Sequence, residues 1–219
     1  MSFSELLGTY GDMYGTALLT TWWMTIVSYA GAMVLALVLT VMRVSPIRPL
    51  RIFADFYVQV FRNIPGISLL IITVYALPKL QVTLPYGTCV IVTTILIASA
   101  FGSENFMSGI NTIGIGQIEA ARSLGLTFGQ MLRQVVIPQA LRSVVLPMTN
   151  LLIAVMLTTA IASQVPMKPP ELTGLVSYIT TRSVGGITTF LISALCYVGT
   201  SVFIGYVGNK LDKKVRILR

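Results

Sequence analysis

The stretch from Met13 to Met42, MYGTALLTTWWMTIVSYAGAMVLALVLTVM, contains no charged side chain. About 20 apolar residues are enough to cross the hydrocarbon of a bilayer. The run therefore predicts one tilted transmembrane helix, over about 16–42. Trp22 and Trp23 lie within it, where contact with lipid or a neighbouring helix accounts for them. Working outward, four more apolar runs follow, at about 54–77, 85–102, 142–165 and 186–209. The second is unusual. Asp55 and Arg62 fall in its first turns, and Pro65 with Gly66 interrupts it. Pro147 lies near the start of the fourth.

Composition agrees with five spans. Of the 219 residues 55% are hydrophobic and 10% charged, whereas a soluble domain carries about 25% charged residues. The excess apolar surface must face lipid. A net charge of +8 could suit nucleic acid, but the cations sit between apolar runs and not on a polar domain, so no nucleic-acid partner is expected. There is no His, and Cys89 and Cys196 each lie inside an apolar run, so no metal site is expected. The N-terminal residues, with Glu5 and Asp12, do not read as a cleaved signal. No internal repeat occurs, and the chain reads as a single transmembrane domain over 1–219.

The distribution of cations sets an expected orientation. With the N-terminus outside, the inner segments hold Arg43, Arg48, Arg51, Arg122, Arg133, Arg142, Lys210, Lys213, Lys214, Arg216 and Arg219. The outer segments hold only Lys79, Lys168 and Arg182. The positive-inside rule then gives N-out, C-in. The outer connection from Pro166 to Gly186 reads as a loop with Pro169-Pro170 and Gly185-Gly186 as breakers.

The inner segment 108–140 is the informative one. Gln117 to Leu124 reads as a short helix that Gly125 can stop. Thr127 can cap a second helix, with Gln130 as its capping-box partner. Phe128, Met131, Leu132 and Val135 then fall on one apolar face, and Pro138 ends or kinks the helix. Glu119 and Arg122 are spaced to pair, and the small pair Ala120-Ala121 would let a partner approach. An amphipathic interfacial helix explains the same pattern without a partner.

Glu119-Ala120-Ala121, Gly125 and Pro138, at these spacings, resemble the EAA motif of binding-protein-dependent ABC importer permeases. Where the family prefers Ile-x-Leu-Pro, this chain has Val135-Val136-Ile137-Pro138. Gly116 to Leu126, Pro138 to Arg142, Pro147, Asn150 and the upstream Phe61-Arg62-Asn63-Ile64-Pro65 resemble the polar amino-acid branch, and the likeness spans about 14–210. The resemblance implies an all-α type I importer (MetI-like) fold in the bacterial cytoplasmic membrane. It implies a second permease subunit, two ABC ATPase subunits and an extracytoplasmic solute-binding protein as partners. Gln117, Glu119, Ala120, Ala121, Arg122, Ser123, Leu124, Gly125 and Leu126 would then form the ATPase-coupling element. The chain has no Gly-x-x-x-x-Gly-Lys-Ser/Thr signature, so ATP and Mg belong to the partner ATPase, and this chain is expected to bind no cofactor and catalyse nothing.

Ionisable groups within spans are costly and commonly functional. Arg62 could counter a substrate carboxylate or extend to the inner face, the second being favoured. Glu104, where the branch has a Glu at the end of span three, is expected to pair with an Arg before it serves as a ligand. Asp55 is expected to stay interfacial. The family commonly carries Lys-Asp-Thr-Ser midway along span four, and here the matching residues are Met156, Leu157, Thr158 and Thr159. A basic residue frequent three positions after Glu104 is Met107 here. These losses suggest a different permease subunit that carries the charged ligands, with Met156, Thr158, Thr159 and Ser163 supplying shape and weak hydrogen bonds, or alternatively a weakly charged substrate or a modified pathway. Packing by small polar residues explains the three hydroxyls equally well. A secondary transporter or channel would need an ion relay that the spans lack. A membrane scaffold would leave the spaced loop unexplained. An intramembrane enzyme would need a Ser/His or paired-carboxylate site, and none is apparent.

Overall fold

The computed structural model describes residues 3–182 and 186–215, and every regular element among them is helical. Gly185, Arg216 and Arg219 lie outside the described residues. Helices α1 (Phe3–Val44), α4 (Tyr86–Ile110) and α10 (Gly186–Val215) are long and apolar enough to cross a bilayer. So is Val145–Gln164, in which α8 (Val145–Thr158) passes into a 3-10 stretch. The bent pair α2 (Arg48–Asn63) and Gly66–Leu80 makes a fifth crossing if counted as one span.

The first helix is longer than the expected 16–42. No proline interrupts it before Pro46, so it runs 42 residues, about 63 Å at 1.5 Å per residue. That exceeds the thickness of the hydrocarbon core. Its N-terminal turns, carrying Glu5 and Asp12, therefore extend past the span. There Leu6, Tyr14 and Ala17 pack against Leu172, Leu175 and Ile179 of α9 (Leu172–Arg182) and Ile192 of α10. Helix α9 occupies the connection that read as an irregular loop.

The expected single helix at 54–77 is two helices whose axes differ by 103°. Pro65 disfavours helical geometry at the residue before it, and Ile64 is extended at φ −84°, ψ 132°. The second piece, α3 (Gly66–Ile71), continues through a π turn, Ile72–Ala76, and a 3-10 turn, Leu77–Leu80. Helix α2 starts earlier than expected, with Pro49 in its first turn, where a missing N–H costs nothing. It buries Ala54 and Val58 and leaves Ile52, Phe53, Phe56 and Val60 exposed.

The third helix reaches Ile110, two turns beyond the expected end at 102, so Glu104 is inside it. The fourth starts after a break at Val144 (φ −102°, ψ 8°), and the fifth extends six residues past 209. The centre of the bundle is the meeting of α1, α4 and α8 through Ala32, Ala36, Ala98, Phe106, Val144, Met148, Leu151 and Val155. Small residues make this approach possible. A Cβ at Gly102 would lie 2.8 Å from the Cβ of Ala36.

Candidate functional site: a helix–turn–helix loop and a cluster of charges

At the bundle end formed by Val44, Ile110 and Ser143, helix α5 (Ile115–Ser123) leaves an extended Gly114. It stops at a two-bond turn. The amide of Leu126 donates to the carbonyl of Ala121 at 3.2 Å, and that of Gly125 to Arg122 at 2.9 Å. Gly125 has φ +74°, a left-handed conformation that only glycine adopts cheaply. The chain re-enters helix at α6 (Phe128–Met131). The Thr127 hydroxyl accepts from the Gln130 amide, and the Gln130 side chain accepts from the Thr127 amide at 2.9 Å. Both caps expected from the local residues are thus present.

Beyond α6 the register changes. Residues Leu132–Val136 form a π turn in which the Ile137 amide donates to Leu132, and α7 (Ile137–Ser143) follows. Pro138 does not end the helix. Its missing N–H and its ring, which would clash with the carbonyl four residues back, are accommodated by one widened turn. The inward set is consequently Met131, Leu132, Val136 and Ala140, whereas Phe128 is exposed and Val135 half-buried. Ile118, Leu126, Val44, Ile110 and Ile113 complete this small core.

The residues expected to meet a partner divide between two faces. Ala121 is buried in the core and Leu126 is half-buried against it. Gln117, Glu119, Ala120, Arg122, Ser123, Leu124 and Gly125 are exposed. Glu119 and Arg122 form no ion pair with each other among the described residues, and Ser123 Oγ donates to the Glu119 carbonyl at 3.0 Å. Leu124 is 81% exposed and Ile115 75%. A buried leucine of this kind is worth about 1.5–3 kcal/mol relative to an exposed one. The unit thus presents two large apolar side chains outward, Ile115 at the start of α5 and Leu124 at its end.

Next to this unit, four charged side chains from three helices alternate in sign. Arg43 Nε lies 2.8 Å from Asp55 Oδ1, and its Nη2 lies 3.1 Å from Glu104 Oε1. Arg62 Nη1 reaches the same Oε1 at 3.2 Å, and its guanidinium lies over the ring of Phe101 at 5.4 Å. Glu104 therefore pairs with two arginines, one at the end of α1 and one on α2. The cluster sums to zero charge. Arg43 is the most enclosed member, and Arg62 and Glu104 remain partly accessible.

The span-four residues separate as well. Met156 and Thr159 are buried within the subunit, Thr159 Oγ1 donating to the Met156 carbonyl at 2.7 Å. Their surfaces are used in packing. Thr158 is half-buried and donates to the Ala154 carbonyl at 2.8 Å. Ser163 donates to Ala160 at 2.8 Å and borders a cavity of about 680 Å³ at the opposite end of the bundle, with Met13, Lys168, Glu171, Tyr178 and Arg182.

Glu171 was not singled out from sequence. It is fully buried and precedes the first turn of α9. Its carboxylate accepts from the amides of Thr173 and Gly174, both at 2.6 Å, and from the Tyr197 hydroxyl at 3.0 Å. Burial pushes this carboxyl above its ordinary value, while the two backbone donors and Tyr197 oppose the shift. An acidic residue after Pro170 and three positions before Gly174 is a helix-start signal that could have revealed both Glu171 and α9.

A model of the binding-protein-dependent transport system inner membrane component family matches residues 32–217. The chain belongs to that family. As a binding-protein-dependent permease it is a multi-pass inner-membrane component of an ABC importer, and ATP hydrolysis resides in separate subunits. Among related permeases, the glutamate transport system permease protein GluC of Corynebacterium efficiens is 38% identical over 68% of this chain and 72% of its own length. The arginine transport system permease protein ArtQ of Bacillus subtilis is 28% identical over 87% of each chain. Among solved structures, an amino acid ABC transporter described with histidines superposes with a TM-score of 0.89 at 24% identity, covering 98% of this chain and 99% of that one. The MetNI methionine transporter, in an inward-facing form, gives 0.80 at 23% identity over 95% and 99%. These likenesses establish the type I importer permease fold expected from the sequence.

Proposed function

We propose that this chain forms half of the translocation pathway of an ATP-driven importer for a polar amino acid, with glutamate as the first candidate substrate. The observation that carries the reading is the helix–turn–helix unit around Gly125, in which Leu124 at one end of α5 and Ile115 at the other are left uncovered by the subunit, where a partner protein can bury them. Relatives named for glutamate, glutamine, arginine and cystine transport support the substrate class.

In this reading Gln117, Glu119, Ala120, Arg122, Ser123, Leu124 and Gly125 form the surface that docks on an ATPase subunit. Ala121 and Leu126 act from beneath by fixing the unit on the ends of α1 and α4. Closure of two ATPase subunits on ATP and Mg carries two such loops together and rocks the spans, and this chain itself binds no cofactor. The cationic loops place the N-terminus outside and the C-terminus inside. An extracytoplasmic binding protein delivers the solute. Arg62 and Glu104 are the ionisable groups nearest the pathway, and their mutual pairing must loosen for either to meet a charged solute. Thr158 and Ser163 supply hydrogen-bonding groups. With Met156 in place of a charge, the second permease subunit is a different chain that carries the charged ligands.

The test is cross-linking in the assembled transporter. A Leu124→Cys variant should form ATP-dependent cross-links to the ATP-hydrolysing subunit. Modification of that cysteine by a membrane-impermeant thiol reagent from outside intact cells would overturn both the orientation and the docking role. Full transport by a purified homodimer of this chain with the ATPase would overturn the two-permease arrangement.

A further inference from the structure

A groove of about 460 Å³ runs along the side of the subunit between α1, α8 and α10. Tyr29, Met33, Val145, Leu152, Phe203 and Val207 form its walls. At its floor Gly208 packs so closely on Thr149 that a side chain there would collide with the threonine. Along α10 the lining extends from Phe203 to Leu211, about 12 Å at 1.5 Å per residue. That is close to the share of one leaflet in a hydrocarbon core about 30 Å thick. No acidic residue lines the groove.

The mouth at the loop end is basic. Arg142 directly follows Leu141, a lining residue, near the end of α7 and before the break at Val144. Lys210 follows Val207 by three and Phe203 by seven, and Lys214 follows Leu211 by three. Along α10, spacings of three and seven put Lys210 and Lys214 in line with the stripe that lines the groove. All three cations are exposed, and none takes part in the ion pairs among the described residues. Asp212, between the two lysines on the same helix, is buried and forms no ion pair among the described residues.

We propose that this groove binds an anionic phospholipid of the leaflet on the loop side, one acyl chain lying in the groove and the phosphate among Arg142, Lys210 and Lys214. An apolar groove at this depth offers water almost no partners, whereas an acyl chain fills it without a polar cost. Long basic side chains at the end of an apolar stripe reach the phosphate level naturally. A second permease subunit seated here would have to bring carboxylates to the same depth. The lipid would bridge α10 to the break at Val144, the point where α7 leads back to the helix–turn–helix unit. Lipid composition would then influence how firmly that unit is held.

The experiment uses the complete transporter in nanodiscs and two photoreactive lipids with a diazirine in the acyl chain, one a phosphatidylglycerol and one a phosphatidylcholine. The phosphatidylglycerol should label peptides containing 145–152 and 203–211 preferentially. Replacing Arg142, Lys210 and Lys214 by Gln should reduce that preference about fivefold for each cation removed, and Val207→Trp, which fills the groove, should reduce labelling by both lipids. Should the triple variant not assemble, the exposed single changes Lys210→Gln and Lys214→Gln give the same comparison. Equal labelling by the two lipids, or a preference untouched by the charge changes, overturns the proposal. So does disulfide capture of another permease chain by a Val207→Cys variant.

Discussion

The two ends of the bundle solve opposite problems. At the Gly125 end a few local hydrogen bonds define a turn, and apolar side chains are left uncovered by the subunit. At the Glu171 end a carboxylate is taken out of water and surrounded by donors from α9 and α10, while α1 is tied in by the Leu172 amide donating to Thr21 Oγ1 at 3.2 Å. In the proposed reading, one end serves contact with another molecule. The other is built for cohesion within the subunit. The lesson is that exposure of apolar groups and burial of polar ones, more than sequence position, separate docking elements from structural ones.

The comparison yields a ranked set of expectations. Glu171→Ala should have the largest effect on stability. It removes a helix cap and takes the acceptor from two part-buried amides, Thr173 and Gly174, at about 1 kcal/mol each, while the Tyr197 hydroxyl keeps Thr173 Oγ1 at 3.2 Å. Thermal unfolding of the detergent-purified transporter should show a clear drop, and an unchanged midpoint would contradict the cohesive role. Glu119→Ala, at the other end, should leave the midpoint in place.

Gly125→Ala should follow. A left-handed residue with a side chain costs about 1–2 kcal/mol, which this exposed turn can bear while shifting its shape. Uptake by proteoliposomes of the whole transporter should fall well below that of the parent, and Gly125→Asn should recover part of it because Asn tolerates this conformation. Equal uptake by all three proteins would remove the case for a defined turn.

Leu124→Ser should lower transport-coupled ATP hydrolysis without changing the unfolding midpoint, because an 81% exposed side chain contributes little to its own subunit. A matching loss of stability would mean that Leu124 belongs to the core.

The smallest expected effect concerns pH. Burial raises the Glu171 carboxyl above its ordinary value of 4.5. The folded state therefore holds this proton more tightly than the unfolded chain. The contribution is fully present below the unfolded value and is lost as pH rises through the folded value. Acidification from neutral pH towards 4.5 should thus raise the midpoint of the parent relative to Glu171→Gln. A difference independent of pH would mean that the three donors offset burial, and one that shrinks on acidification that they outweigh it.

Much of the helix–turn–helix unit was legible because its information is local. Thr127 and Gln130 are three residues apart, and Gly125 needs no distant partner to adopt its positive φ. The break at Pro65 was visible as a warning, but its 103° angle depends on what α2 and α3 each pack against. Helix α9 was missed because its 11 residues lie between proline and glycine breakers and are too few to make a strong periodic signal. The inward turn of Ala121 and the one-residue register change after Met131 were equally hidden. The register change follows from the π turn before Pro138, which periodicity counting does not include, and the inward turn of Ala121 from the packing of α5 against Met131, Leu132 and Val136.

By itself the sequence determined the number of apolar runs, the capped turn and the family, since each rests on composition or on residues close together in the chain. Only the tertiary structure decided that Arg43 and Arg62 share Glu104, that Met156 and Thr159 face inward, and that Glu171 is caged at the far end. Those outcomes depend on which helix faces meet, and the meeting is set by steric fit between surfaces distant in the chain, such as Gly102 on Ala36.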